Sequence, residues 1–189
     1  MSQGCPLSPK TSPRGLLVKL NNFGVTGRTA LAPLERYVAL MNRTFFITSV
    51  TAQRRTIFQT DTAADLIVDV LLHYRSEGKF LLHEFVIMPD HFHALITPSS
   101  DISLEKAVQF IKGGFSFRLK SKTPVWQAGF TNHRVRDEED FEQHREYIWM
   151  NPVRARLVNR PEEYAHSSAS GRFALDPKPQ GLKPLLYGS

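Results

Sequence analysis

The chain has 189 residues, 41% of them hydrophobic, enough for one domain with its own core and too apolar for a chain disordered throughout. A single cysteine, Cys5, excludes an internal disulfide and any metal centre built on several thiolates, and it fits a reducing, cytoplasmic setting; no run of about 18 apolar residues is present to span a membrane. Lys and Arg exceed Asp and Glu by 24 to 18, a balance that favours a polyanionic partner, either nucleic acid or an anionic surface.

Residues 1–40 carry Pro, Gly, Ser and Asn without periodicity and read as a disordered extension. Residues 43–51 (RTFFITSVT) are β-branched and aromatic, which predicts a strand. Thr60 or Asp61 then caps a helix, in which Ala63, Leu66, Ile67, Val70, Leu71 and Tyr74 recur at helical spacing until Gly78 stops it. Residues 79–88 (KFLLHEFVIM) form a nearly continuous apolar strand, Pro89-Asp90 a tight turn, and residues 91–97 a returning strand. Residues 103–120 read as a helix whose weak point is Gly113-Gly114, and residues 132–136 as a strand. Residues 137–150 make a helix with an acidic first turn, suited to the positive end of its dipole, and Pro152 is expected to end it. Residues 171–189 form a Pro-rich tail.

The order β-α-β-β-α-β followed by a helix predicts an α+β, ferredoxin-like split βαβ unit over residues 41–170. Its four-stranded antiparallel sheet would carry helices on one face, with an extra C-terminal helix, and leave the other face for a site. Fold alone gives no function.

His91-Phe92-His93 is the sharpest local feature. On a strand, residues i and i+2 leave the same face, so both imidazoles can share a metal ion while Phe92 packs on the other side. Such pairs also arise by chance. Tyr147 and Asn151, four apart on a helix, share a face as well; the phenol is an oxygen nucleophile and the amide a third metal ligand. Taken alone, Tyr147 reads better as a core aromatic and Asn151 as a helix end before Pro152. Lys112, Arg118 and Lys120, interleaved with Phe110, Phe115 and Phe117, and Arg134, Arg136 and Arg154 around the last helix, are candidate nucleic-acid contacts, though the phenylalanines fit a core better. His83, Glu84, His133 and His144 stand near these elements without an assignable role.

The run 85–95 (FVIMPDHFHAL) resembles the His-hydrophobic-His motif of single-tyrosine transposases. The blocks FIKG at 110–113, WQAGF at 126–130, YIWMNPVRA at 147–155 and YAHSS at 164–168 resemble those that follow it there. The pattern is closest to the REP-associated tyrosine transposases and covers about residues 43–170. The resemblance implies a ferredoxin-like nuclease acting, as a monomer or homodimer, on single-stranded, hairpin-forming DNA. It implies a divalent metal, Mg2+ or Mn2+, on His91, His93 and Asn151, and a covalent 5′-phosphotyrosine at Tyr147. Trp149, Met150 and Arg156 depart from it; Arg156 stands where a glycine is expected. Two other classes of function stay open: a non-catalytic nucleic-acid-binding module of the same fold, and a metal-dependent hydrolase using water.

Overall fold

The computed structural model describes residues 43–182; the 1–40 extension and the end of the Pro-rich tail lie outside the described residues. The elements run β1 (Phe45–Val50), α1 (Asp61–Ser76), β2 (Phe80–Met88), β3 (His91–Pro98), α2 (Leu104–Leu119), β4 (Thr131–Arg134) and α3 (Glu138–Arg154), with single 3-10 turns between and after them. The sheet order is β2-β3-β1-β4 and every pair is antiparallel. β3 thus lies between β1 and β2, the ferredoxin-like split βαβ arrangement expected from the element order.

Strand alternation divides the core into two layers. Ile47, Phe85, Ile87, Phe92, Ala94 and Ile96 face α1 and α2, where Ile67, Leu71, Ile111 and Phe115 meet them. On the other face Phe46, Val86, Met88 and Leu95 pack under Phe141, Ile148 and Trp149 of α3. That second face is therefore roofed by the tyrosine-bearing helix.

Helix ends follow local chemistry. Ser103 caps α2 by accepting from the Lys106 amide, and Asp137 caps α3 by accepting from the Asp140 amide at 2.9 Å. α1 stops at Gly78, whose φ of +66° allows Lys79 N to reach Tyr74 O and Gly78 N to reach Arg75 O. α2 is unbroken through Gly113-Gly114. Gly114 marks the close approach of α1, since a Cβ there would stand 2.6 Å from Cε2 of Tyr74.

One expectation is corrected. α3 does not end at Pro152 but runs to Arg154. Pro152 forfeits one helical hydrogen bond, yet its fixed φ suits the helix and its ring is buried in the last turn. The stop comes at Arg156, left-handed at φ 58°, with Arg156 N bonded to Val153 O and Leu157 N to Pro152 O. This is the bond pair usually built on glycine, so arginine keeps the turn that glycine would make.

Residues 161–182 run along the outer edge of β2. Ile87 N donates to His166 O, and Tyr164 Oη to Ile87 O at 2.8 Å. Further along, Asp176 N donates to Leu82 O, while the Asp176 carboxylate accepts from Leu82 N and, at 2.7 and 2.9 Å, from the Arg75 guanidinium. The described part of the Pro-rich stretch thus closes the sheet edge.

Candidate functional site

β3 begins at His91, and its register places His93 opposite Thr48 of β1 and Val86 of β2. Both imidazoles lie on the α3 side, their rings 4.8 Å apart, while Phe92 enters the α1–α2 core. Each ring is held from behind through Nδ1. His91 Nδ1 is 2.6 Å from Asp90 Oδ1, and His93 Nδ1 is 2.7 Å from Thr48 Oγ1. Nε2 of His93 is buried and has no hydrogen-bond partner. Burial, and then the neighbouring His91 charge, push the His93 pKa down to about 3, so it stands neutral at physiological pH. Burial opposes ionisation of Asp90, but the His91 hydrogen bond and the Arg54 guanidinium outweigh it and hold the carboxyl below its usual range. Two imidazoles fixed through Nδ1, the His93 ring neutral and with a buried unpartnered Nε2, form a donor set that fits a divalent ion.

α3 carries Tyr147 over this pair. The phenol ring is 39% exposed and meets His93 edge-on at 5.2 Å and Phe46 at 5.7 Å. The Arg154 guanidinium lies 5.4 Å from its ring centre. Asn151 follows one turn later and is half-buried, with its carbonyl accepting from Ala155 N. α3 is fixed to β2 by Trp149, whose indole N–H donates to Glu84 at 2.8 Å and whose ring stacks under Arg145. Burial pushes the Glu84 carboxyl up. The bulky residue that departs from the family pattern is therefore an anchor. An open cleft of about 270 Å³, lined by Phe46, Gln143, His144 and Tyr147, adjoins the phenol.

The cationic candidates divide. Arg154 and Arg136 are on or beside α3. Arg134 pairs with Phe45 and so belongs to the opposite sheet face, and Arg118 and Lys120 lie at the end of α2 in that layer. The Lys112 ammonium donates to the carbonyls of Gln127 and Gly129, and burial lowers its pKa; its contacts in the fold are internal.

His83 shares the site's sheet face but sits at its far end, between Thr97 Oγ1 (2.9 Å) and Pro177 O (2.7 Å), beside Phe141. His133, Asp140 and His144 form a His-Asp-His cluster that could bind a metal, its ligand atoms within 4.8 Å of one another. Burial opposes ionisation of Asp140, but hydrogen bonds from His133 and Arg136 outweigh it and lower its pKa. Phe46 separates this cluster from the first pair, with its ring 5.2 Å from His93 and 4.6 Å from His144. The sequence brings out neither Thr48 nor this cluster, since both depend on strand register. No helix among the described residues is long and apolar enough to cross a membrane.

Residues 40–151 match the family described as "Transposase IS200 like". The chain is 26% identical over 139 residues to the REP-associated tyrosine transposase of Escherichia coli K12, covering 70% of this chain and 83% of that one. It is 25% identical over 134 residues to a Haemophilus influenzae protein assigned to the same kind of transposase, covering 60% and 76%. A solved REP-associated tyrosine transposase, bound to a REP hairpin, shares the fold with a TM-score of 0.62 at 24% identity, over 76% of this chain and 92% of the other.

Proposed function

We propose, for a chain that belongs to the IS200-like transposase family, that it cuts and rejoins single-stranded, hairpin-forming DNA through a covalent 5′-phosphotyrosine at Tyr147. The observation that carries this reading is the Tyr147 ring set edge-on to His93, whose Nε2 is buried without a partner. In the first step Tyr147 Oη gives up its proton and forms a bond to phosphorus as the P–O3′ bond breaks; the departing 3′ oxygen takes up a proton and leaves as a hydroxyl. The new phosphotyrosine is still a diester, so a 3′-hydroxyl can reverse the step without ATP and join a different strand.

The remaining parts bind and orient. His91 and His93, with Asn151 proposed as third ligand, would hold a divalent ion, Mg2+ or Mn2+, which supplies Lewis acidity at a non-bridging phosphate oxygen. Thr48 and Asp90 fix the two ring orientations from behind. Arg154, over the phenol ring, would meet an approaching phosphate. Arg136, beside α3, would lengthen the cationic track for the backbone, whereas Arg134, Arg118 and Lys120 could meet only DNA that wraps to the opposite sheet layer, and Lys112 is held by internal carbonyls. The cleft of Phe46, Gln143 and His144 offers aromatic walls for a base beside the scissile bond. Hairpin DNA is the substrate to try because the structurally similar REP-associated transposase holds one. The proposed setting is the cytoplasm, with the protein acting as a monomer or homodimer.

The test is denaturing gel electrophoresis after incubation with labelled single-stranded hairpin DNA and Mn2+. The expected result is a protein band that carries label through denaturant, maps to the Tyr147 peptide by mass spectrometry, and vanishes in Tyr147→Phe. An adduct on another residue, or cleavage undiminished in that variant, would overturn the assignment.

A further inference from the structure

His133 of β4 and Asp140 and His144 of α3 meet on the far side of Phe46 from the His91–His93 pair. Their donor atoms converge on one carboxylate oxygen: Asp140 Oδ1 is 3.0 Å from His133 Nε2 and 3.1 Å from His144 Nδ1. The second oxygen, Oδ2, takes the other contacts, from His133 Nε2 at 2.8 Å, Arg136 N at 3.1 Å and Arg136 Nε at 3.2 Å. His144 Nδ1 also donates to Asp140 O at 2.7 Å. The carboxylate is buried, while the imidazole side chains are 42% and 21% exposed, so an ion can reach them from solvent. The rings stack at 4.7 Å and 20°.

We infer that His133, Asp140 and His144 form a second cation site, for a zinc-class transition-metal ion, which ties β4 to α3 beside the tyrosine. Two imidazoles and one carboxylate suit zinc and exclude magnesium as the preferred ion, because nitrogen donors favour softer cations. Around a tetrahedral ion with bonds of about 2.0–2.2 Å, donor atoms stand roughly 3.3–3.6 Å apart. The two separations from Asp140 Oδ1 need only a few tenths of an ångström of opening, and the two imidazole nitrogens lie within 4.8 Å of each other. Oδ1 would turn to the ion as the imidazole protons leave, and Oδ2 would keep its bonds to Arg136. The fourth position falls to solvent. His144 is three residues before Tyr147, and both rings touch Phe46. An ion here would fix the helix that presents the phenol without touching the reacting atoms.

The site stands apart from the nuclease reading, so its test needs no DNA. Zn2+ is titrated calorimetrically into the His91→Ala/His93→Ala protein, which lacks the first pair, and into the same protein carrying His133→Ala as well. The expected result is one equivalent bound in the first protein, and affinity reduced by more than about 100-fold in the second, since even the outer partners of metal ligands are worth 10–100-fold. No binding in the first protein, or a loss under about tenfold on adding His133→Ala, overturns the site. Should the double-alanine background fail to fold, Zn2+ titration of the intact protein with imidazole NMR gives the same decision. Stoichiometric shifts at His133 and His144 support the site, and unmoved signals from both overturn it.

Discussion

Replacing Thr48 by valine tests whether His93 is a metal ligand held in place from behind. Thr48 Oγ1 is 2.7 Å from Nδ1 of His93, and the histidine is only 5% exposed, so water cannot replace the lost partner. Valine keeps the branched shape that suits a strand and removes one hydroxyl. With Nε2 already lacking a protein partner, a buried ring left unpaired at Nδ1 costs about 1–3 kcal/mol of stability. A ligand freed to turn, or to adopt the other tautomer, lowers metal affinity by about 10–100-fold. Mn2+ titration by calorimetry and melting in EDTA measure the two effects separately. The expected pattern is weaker Mn2+ binding and a lower melting point in Thr48→Val, with both largely restored in Thr48→Ser, which keeps the hydroxyl. Mn2+ affinity unchanged in the valine variant would refute the idea that His93 binds metal through a ring oriented by Thr48.

Further outcomes concern stability and its pH dependence. Gly113→Ala, with open space around its Cβ, should raise unfolding free energy by about 0.5–1 kcal/mol, whereas Gly114→Ala should gain nothing, because its Cβ meets a Tyr74 ring already stacked on Phe110; equal gains in urea denaturation would contradict this packing. Arg156→Gly should stabilise by about 0.5–1 kcal/mol by relieving the left-handed backbone, and a loss would mean that the arginine side chain holds the turn. Burial lowers the His83 pKa despite its bonds to the Pro177 and Asp176 carbonyls and the charge of Asp176, with Arg75 adding to the lowering. The unfolded chain therefore takes up this proton first: stability is complete above about pH 6.5, falls as pH drops below it, and levels off beneath the folded pKa, with a slope of at most about 1.4 kcal/mol per pH unit. His83→Gln should flatten that part of the curve, leaving the parallel contribution of His93, and an unchanged slope would count against the burial account.

The fold was legible where one periodicity acts over a whole element. The Ala63, Ile67, Val70, Leu71 stripe gives α1, and the continuous apolar run of β2, the Pro89-Asp90 turn and β3 give the central hairpin. Ends were harder to read because they depend on single bonds. Pro152 reads as a stop, but the helix runs on to Arg154 and is closed by Leu157 N, three residues later, reaching back to Pro152 O. The edge segment was invisible for a similar reason. Its main contacts, Asp176 with Arg75 and Leu82, join residues 94 and 101 positions apart without any local pattern.

The candidate site shows the same division. His91 and His93 share a face because any strand places i and i+2 together, and Tyr147 and Asn151 because any helix places i and i+4 together. Nothing local says that Tyr147 meets His93. That follows from α3 lying on the second sheet face, fixed by Phe141, Ile148 and the Trp149–Glu84 bond. Phe46 is the residue on which this turns. Read as sequence it is one apolar position in a strand, indistinguishable from Phe45. The register gives them opposite fates: Phe45 goes to the α1–α2 core, while Phe46 stands against His93, His144 and Tyr147 together. It sets the spacing between the sheet's histidines and the helix's phenol. A one-residue slip of β1 would exchange the two phenylalanines and bury Thr48 away from His93. The chemistry at the site therefore rests on strand pairing that no short motif encodes.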